Sequence, residues 1–304
     1  TALRAGGQCL CHAGQGVQVG VHGLALWGSG AVSGACQAGR ALGPSGMGLV
    51  SRRQSCPMKV KSLKPMRLED ILFSQGFGTR RVCAGLVQQG YVQVNGETIT
   101  DSGEFFELEG LHFSVQGTDW PFKEHAYVLL NKPAGTECSQ KPSTWPSIYT
   151  LLPAPLRQRP QKAAVQGVQA VGRLDQDTTG LLLLTDDGKF IHRMSSPKHH
   201  VPKVYEVTTK HPITPEMVDK LLSGVVLDDD PRPVKAAACE AVGELHLKLT
   251  LTEGKYHQVK RMLAAVGNRV EGLHRSQIGG LVLNDLAPGQ WRWLTEEDLA
   301  LLKP

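Results

Sequence analysis

Downstream of residue 57, the spacing of hydrophobic and polar positions predicts two short helices followed by a β-hairpin. Residues 66–73 place their aliphatic side chains on one face, as an amphipathic helix does, and two glycines then end the pattern. Thr79 is a residue type that caps helices, and it precedes a second predicted helix over about residues 80–89. Alternation over residues 91–94, followed by the turn dipeptide Asn95-Gly96, predicts the hairpin.

The rest of the chain mixes strand-like apolar runs with helical segments and lacks a regular βαβ repeat. Strands are predicted over residues 127–130, 181–184, 204–209 and 245–251, and helices over residues 189–194, 214–222 and 257–266. Residues 119–121 are predicted to be a linker, and the Pro- and Gln-rich stretch 153–169 a loop. This mixture predicts an α+β fold.

Residues 1–57 differ in composition from everything that follows. They are rich in Gly, Ala, Ser and Val, contain no Asp or Glu, and show no sustained periodicity. We expect this extension to be disordered and not necessarily native, because dense glycine loses much chain entropy on ordering. The alternatives are an organelle transit peptide, or translation from an upstream start with Met58 or Met66 as the true start.

Composition narrows the class of protein without choosing a function. The 304 residues are enough for about two domains, and no apolar run approaches the roughly 18 residues of a membrane span. A net charge of +5 is compatible with a polyanionic partner. The seven cysteines include no Cys-x-x-Cys pair and no zinc spacing, so we expect reduced thiols and a cytoplasmic protein.

Three histidines at positions 192, 199 and 200 are close in sequence, but no cysteine or carboxylate lies at ligand spacing beside them. No metal site is therefore predicted. We interpret them as part of a basic patch with Lys198 and Lys203.

Four segments carry residues with chemical potential. In residues 172–180, Asp175 lies between polar turn residues and a buried strand, where burial and a cation can tune a carboxylate. The residues alone leave open that Asp175 only caps a turn. Tyr205, on a predicted strand, is equally compatible with a packed aromatic that keeps a wet hydroxyl.

The other two segments are basic or turn-forming. Residues 253–262 crowd cations at a strand-to-helix corner, either as a solvated helix face or as ligands for phosphate and a carboxylate. Residues 129–135 have the pattern of a strand that ends in a proline turn.

In this order, the segments resemble the pseudouridine synthases that act on ribosomal RNA, over about residues 66–300. The motifs that carry the resemblance are GRLD at 172–175 continuing to DDG at 186–188, EGKYHQVKRM at 253–262, LHRSQIGG at 273–280, LAPGQW at 286–291 and LTEE at 294–297. The resemblance implies a catalytic domain over residues 122–304, with a mixed, mainly antiparallel sheet flanked by helices.

Residues 66–110 resemble the S4 domain, a small RNA-binding module, and we predict an S4-like domain over residues 58–118. Asp70 stands where that family often has lysine, and the unit is acid-rich over residues 97–109. RNA contact is therefore expected from Arg67, Arg80 and Arg81, together with the basic lead-in over residues 59–64.

The resemblance implies that uracil is detached from its ribose, turned and rejoined through carbon, without cofactor, metal or energy source. Asp175 matches the family's carboxylate, which acts on the ribose as a nucleophile at the anomeric carbon or as a base at its neighbour. Tyr205 matches the tyrosine that stacks on the base, and Lys260 matches the cation that pairs with the carboxylate. Arg173 matches an arginine near the flipped nucleotide, and residues 182 and 184 are expected to wall the site.

Further RNA contacts are expected from a set of basic residues around this site, Lys198, Lys203, Lys255, Arg261 and Arg275. The implied partner is 16S ribosomal RNA, within a partly assembled small subunit, bound by a monomer. The alternatives are a synthase that acts on 23S RNA and a non-catalytic RNA-binding assembly factor. The dipeptides Tyr256-His257 and His274-Arg275 look more like the small-subunit group.

Overall fold

The computed structural model describes residues 63–161, 166–196, 199–227 and 230–303, all within one compact unit. The extension predicted over residues 1–57 lies outside the described residues, as do most of the basic lead-in and Lys198. Within these ranges no helix has the length and apolar character needed to cross a bilayer.

The front part consists of two helices and two small antiparallel sheets. Its elements are β1 (Met66–Arg67), α1 (Leu68–Gln75), α2 (Arg80–Gln88), β2 (Val92–Val94), β3 (Glu97–Ile99), β4 (Phe105–Phe106), β5 (His112–Val115) and β6 (Thr118–Pro121). β1 pairs with β4, and the other strands form a sheet in the order β3-β2-β5-β6. The first helix begins two residues later than predicted, because β1 takes up its expected first turn.

Local signals in this part are confirmed. Thr79 caps α2 by accepting a hydrogen bond from the backbone N–H of Val82. Asn95 and Gly96 both have positive φ, as the predicted two-residue hairpin turn requires. The predicted linker at residues 119–121 was wrong: it belongs to β6, because Trp120 is buried there and packs edge-on against Phe77 and Trp293.

The remainder of the described chain contains eleven strands, six helices and connecting loops. They are β7 (Tyr127–Lys132), a 3-10 helix (Ile148–Leu151), α3 (Ala154–Gln158), β8 (Gln169–Ala170), β9 (Thr179–Thr185), α4 (Gly188–Ser195), β10 (Lys203–Thr209), α5 (Pro215–Ser223), β11 (Val225–Leu227), β12 (Asp230–Val234), β13 (Ala238–Ala241), β14 (His246–Leu251), α6 (Gln258–Ala265), β15 (Val270–Ile278), β16 (Leu281–Val282), β17 (Trp291–Trp293) and α7 (Glu296–Leu301).

Nine of these strands form one sheet within the described ranges, in the order β13-β14-β10-β15-β9-β7-β17, with β16 beside β15 and β8 beside β9. β15 runs parallel to β9, and every other described pairing in the sheet is antiparallel. The α+β prediction with a mixed, mainly antiparallel sheet is therefore confirmed. The leucines of β9 are buried on both faces of the sheet, which accounts for their unbroken apolar run.

The loop predicted over residues 153–169 was wrong in part, since it contains α3 and β8. Its proline content suggested a loop, but a proline in the first turn of a helix removes only an N–H that would be unpaired anyway. Leu156 of α3 is fully buried, and this burial stabilises the short helix.

A buried arginine joins the front part to the large sheet. Arg159, 2% exposed, donates to the side chain of Gln75 at the end of α1 (2.8 Å) and to the backbone oxygens of Lys123 (2.7 Å) and Glu124 (3.0 Å). It also pairs with Asp186, which follows β9. α1 and the end of β9 are therefore held by one guanidinium.

Candidate active site

Asp175 lies on the loop that precedes β9, and a buried ammonium holds this loop in place. Lys132, at the end of β7, donates from Nζ to the backbone oxygens of Thr178 (2.9 Å), Pro133 (3.1 Å) and Gln176 (3.3 Å). Burial lowers the pKa of Lys132, and the three oxygens compensate for its lost hydration. The segment that directly follows Asp175 is thus held against the end of β7.

A glycine lets β9 approach its parallel neighbour. Gly180 has φ +104°, and a Cβ at this position would lie 2.3 Å from the backbone oxygen of Arg275 in β15. No other residue type fits there without movement of the backbone. Gly180 lies five residues after Asp175. The close approach of Gly180 to β15 therefore also sets where the loop that carries Asp175 joins the sheet.

The carboxylate of Asp175 contacts two basic side chains from the start of α6. Its Oδ2 lies 3.2 Å from Lys260 Nζ, and its Oδ1 lies 3.2 Å from His257 Nε2. His257 is the residue before α6 and Lys260 lies in its first turn, so the start of this helix supplies both contacts. The side chain of Asp175 remains 29% exposed, which leaves it accessible to a ligand.

Lys260 also contacts Asp177: its Nζ donates to Oδ1 (2.7 Å) and to Oδ2 (2.9 Å) of that carboxylate. Burial alone would lower the pKa of Lys260, but the hydrogen bond to Asp177 and the charge of Asp175 raise it above its ordinary value. Burial would raise the pKa of Asp177, and Lys260 more than offsets this. Lys260 is therefore a positive charge shared between two carboxylates.

A cavity of about 690 Å³ opens beside Asp175, a size within the usual range for ligand sites of roughly 300–1,000 Å³. It brings together all three predicted catalytic residues, Asp175, Tyr205 and Lys260, with the predicted RNA contacts Arg173, Lys203, Lys255 and Arg275. Tyr205 is a largely buried residue of β10.

One prediction about the walls of this cavity was wrong. Leu183 lines the cavity, whereas Leu182 and Leu184 do not line it and belong to a different hydrophobic cluster from Leu183. Successive side chains of a strand point to opposite faces, so a strand that is buried on both faces gives no sequence signal for which leucines face the site.

Arg275, which was predicted with the RNA contacts, is 3% exposed and does not lie on the outer surface. Its Nε donates to the backbone oxygen of Leu181 (2.9 Å), and its Nη2 is buried without a hydrogen-bond partner among the described residues. Lys203 lies nearby, and burial followed by repulsion from Arg275 lowers its pKa. These two side chains make the inner part of the cavity basic, so any RNA contact of Arg275 is to a nucleotide inside it.

The arginines of the front part are mostly paired with acids. Arg67 contacts Glu69 (3.1 Å) and Asp70 (3.0 Å), and Arg80 contacts the same Asp70 (3.1 Å). Arg81 is exposed and has no ion pair within the ranges that the structure describes. The acid at position 70 thus neutralises two of the three arginines predicted to bind RNA there.

The remaining residues predicted to contact RNA lie near the cavity or outside the described residues. Arg261 follows Lys260 on α6 and donates to the backbone oxygen of Tyr256 (3.3 Å). Lys255 is partly exposed at the cavity wall. Among the residues with described positions, no group of three His, Cys, Asp or Glu side chains has the arrangement of a metal site.

Sequence reasoning gave no role to His257, Asp177 or Lys132. The spacing of His257 and Lys260 at a helix start was a usable signal, since it predicts two basic side chains on one face. The buried contacts of Lys132 have no such signal, because their acceptors are backbone atoms of a loop.

Two family models match the chain. Residues 126–265 match the RNA pseudouridylate synthase model, and residues 66–109 match the S4 domain model.

Curated relatives extend the similarity over most of the chain. The ribosomal small subunit pseudouridine synthase A of Haemophilus influenzae is 38% identical over 239 residues, which cover 78% of this chain and 99% of the relative. The protein of that name from Escherichia coli K12 is 40% identical, with coverage of 77% and 99%. A solved structure described as a pseudouridylate synthase shares 36% identity with a TM-score of 0.54, covering 78% of this chain and 99% of that one.

Proposed function

This chain belongs to the RNA pseudouridylate synthase family, and we propose that it converts a uridine of 16S ribosomal RNA, in the small ribosomal subunit, into pseudouridine. The observation that carries the proposal for the site is the position of Asp175, which lies within 3.2 Å of both Lys260 and His257 beside the cavity that Tyr205 lines. We assign Asp175 as the catalytic carboxylate.

The assignment rests on the surroundings of Asp175. To act on the ribose, as nucleophile or as base, the carboxylate must be ionised in a partly shielded place. Two basic side chains lie 3.2 Å from it, and Lys260 stays protonated because its carboxylate partners raise its pKa. Lysine is a point charge rather than a planar fork, so one ammonium serves both Asp175 and Asp177.

The proposed reaction is an isomerisation, so its atoms balance within the substrate. The bond from the ribose to N1 of uracil breaks, the base turns, and the same carbon of the ribose bonds to C5. C5 then loses its proton and N1 gains one. No oxidant, reductant or energy source is required, and we propose that the chain uses no cofactor or metal.

Tyr205 is proposed to hold the base while it is detached. Its ring is largely buried in the sheet and borders the cavity, which supports a stacking position close to Asp175. Its hydroxyl is in turn the group proposed to help remove the proton from C5. The basic inner part of the cavity, formed by Lys203 and Arg275, suits the electron-rich oxygens of a detached uracil.

A uridine in folded RNA has to leave its stack before it reaches Asp175, at a cost of a few kcal/mol. Arg173 is exposed and lines the cavity, a position that supports a contact with the phosphate of the extruded nucleotide or with the gap that it leaves. Phosphate contacts of this kind make affinity fall as the salt concentration rises.

We also propose the division into an S4-like RNA-binding domain over residues 58–118 and a catalytic domain over residues 122–304, which the two matched ranges support. The proposed substrate is the RNA within a partly assembled small subunit, bound by a monomer in the cytoplasm. The relatives support the small-subunit target, because their name places their activity there.

The direct experiment is chemical mapping of pseudouridine after incubation with purified protein. Four substrates distinguish the possible targets and their state of assembly: naked 16S RNA, naked 23S RNA, partly assembled small subunits and mature small subunits. A single modified position in 16S RNA is expected, with partly assembled subunits as the best substrate. Modification of 23S RNA alone would overturn the target, and no pseudouridine in any substrate would overturn the enzymatic role.

A further inference from the structure

A second cavity of about 380 Å³ adjoins the first. The two share a wall whose residues line both, namely Arg173, Leu174, Asp175, His257 and Lys260. Tyr256 borders the second cavity and not the first. A nucleotide extruded toward Asp175 therefore has its chain neighbours near this second space.

Tyr256 presents an open aromatic face beside the second cavity. The residue is 69% exposed, and one face of its ring stacks on His257 with centroids 3.8 Å apart and planes inclined by 23°. His257 in turn contacts Asp175. The other face of Tyr256 is thus free for a flat partner, and exposed aromatic rings beside a nucleic-acid site serve as stacking platforms for bases.

The backbone around Tyr256 is held in a conformation that presents this ring. His257 has φ +47°, in the left-handed region that residues other than glycine rarely adopt. The buried side chain of Gln258 accepts from the backbone N–H of Lys255 (2.8 Å) and donates to Glu253 (3.1 Å). An unusual conformation with this much support at a site edge points to a function for the residue it positions.

One acid of the second cavity is already occupied by its own loop. The carboxylate of Glu137 accepts hydrogen bonds from the backbone N–H groups of Ser143 (3.2 Å), Thr144 (3.1 Å) and Trp145 (3.0 Å), which lower its pKa. Its charge is therefore directed away from an incoming phosphate.

The acids Asp175 and Asp177 share one cation, because Lys260 contacts both of them. Arg173, by contrast, is exposed, lines both cavities and makes no ion pair with any described residue. It lies where the phosphate between a target nucleotide and its neighbour would pass. A stacking face and an available cation thus flank the shared wall.

We propose that the second cavity binds the base of a nucleotide adjacent to the target uridine, stacked on the open face of Tyr256. The inference rests on the proposed function, because it takes Asp175 as the place where the target is modified. It adds a second point at which the RNA is read, and it makes Tyr256 a determinant of substrate choice rather than a catalytic residue.

The test uses the shortest 16S RNA fragment that the wild-type protein modifies, with steady-state kinetics of Tyr256→Ala and Tyr256→Phe. Loss of one base stack raises KM about tenfold in Tyr256→Ala. The kcat value changes little, since the ring does not touch the reacting atoms. Tyr256→Phe keeps the aromatic ring, so its KM should stay close to the wild-type value.

Two further RNAs carry an abasic residue on the 5′ or the 3′ side of the target. One of them is expected to raise the wild-type KM as Tyr256→Ala does, and the mutation then adds no further loss on that RNA. The inference would be overturned if Tyr256→Ala raised KM further on both abasic RNAs. An unchanged KM of Tyr256→Ala on the intact RNA would also overturn it.

An effect of Tyr256→Ala that occurs on subunit particles and not on naked RNA would show a protein contact instead, and would also overturn the inference. If the wild type forms no pseudouridine at all, the proposed function has failed. If the wild type is active and Tyr256→Ala matches it on every RNA, only the stacking inference has failed.

Discussion

Lys260 Nζ lies 2.7 Å from Asp177 and 3.2 Å from Asp175, so the cation proposed to support the catalytic carboxylate is bound more closely to a different acid. Asp177 is the more exposed of the two. Its contact keeps the ammonium charged and oriented, while Asp175 remains open toward the cavity. The pair separates two tasks: one carboxylate holds the cation, and the other is available to a substrate.

Asp175→Asn is expected to reduce pseudouridine formation by on the order of a thousand-fold or more, because an amide supplies neither a nucleophile nor a base. RNA affinity should be retained, since the amide has the same size and can still bond to His257. Pseudouridine mapping and filter binding on the same RNA measure the two effects. Normal conversion by this variant would remove Asp175 from the mechanism.

Asp177→Asn should lower the upper pH limit of activity. The hydrogen bond to Asp177 raises the pKa of Lys260, so its loss lowers that pKa. Lys260 is charged below its pKa, and the variant therefore loses this charge at a lower pH than the wild type does. The alkaline limb of the kcat/KM profile should move to lower pH.

Glu137→Gln is the matched control, since Glu137 borders the second cavity and bonds to its own loop rather than to Lys260. Its alkaline limb should coincide with that of the wild type. Superimposable profiles for Asp177→Asn and the wild type would mean that the shared ammonium does not control activity.

Arg159→Ala should destabilise the protein by about 3–5 kcal/mol, because it leaves the buried Asp186 without its guanidinium partner. The side-chain oxygen of Gln75 and two backbone oxygens would also each lose one hydrogen bond. Urea denaturation measures the change in the free energy of unfolding. Arg157→Ala, at an exposed position of α3 two residues before Arg159, is the control and should change stability by no more than about 0.5 kcal/mol. Equal effects of the two variants would contradict the structural role of Arg159.

Asp70→Lys should strengthen RNA binding, because it releases Arg80, leaves Arg67 with Glu69 as its remaining acid, and adds a charge of its own. Each additional phosphate contact steepens the plot of log affinity against log salt by about 0.7–0.9. Titrations at several salt concentrations are expected to show an increase of about one to three units in slope. Glu97→Lys makes the same charge change on the exposed strand β3 without releasing an arginine, and it should have a smaller effect. Equal slopes for the two variants would show that Arg67 and Arg80 do not contact RNA.

The elements of this fold were largely predictable because local signals agreed with tertiary structure. Thr79 caps its helix, the Asn95-Gly96 turn closes its hairpin, and the apolar run near residue 182 is a buried strand. The errors arose where burial overrode composition. Trp120 converts an expected linker into a strand, and Leu156 supports a helix in a stretch that is rich in proline.

The candidate site was predictable in its residue types and not in its contacts. The resemblance identified Asp175, Tyr205 and Lys260, and the structure brings these three to one cavity. The contact of His257 with Asp175 spans a long stretch of chain, and no periodicity reports such a contact. The burial of Arg275 was equally hidden, because the close approach at Gly180 that accompanies it depends on how β9 and β15 are paired.

The guanidinium of Arg159 binds the end of α1 and the acid after β9 at once, and these contacts restrain movement at that junction. We expect the arginines predicted to bind RNA, which lie next to α1 and α2, to keep a nearly constant separation from Asp175. In a protein built in this way, the distance between the proposed RNA-binding surface and the proposed catalytic residue is fixed. We therefore expect such an enzyme to select a uridine by its distance from the RNA segment that the front part binds, as well as by the sequence around it.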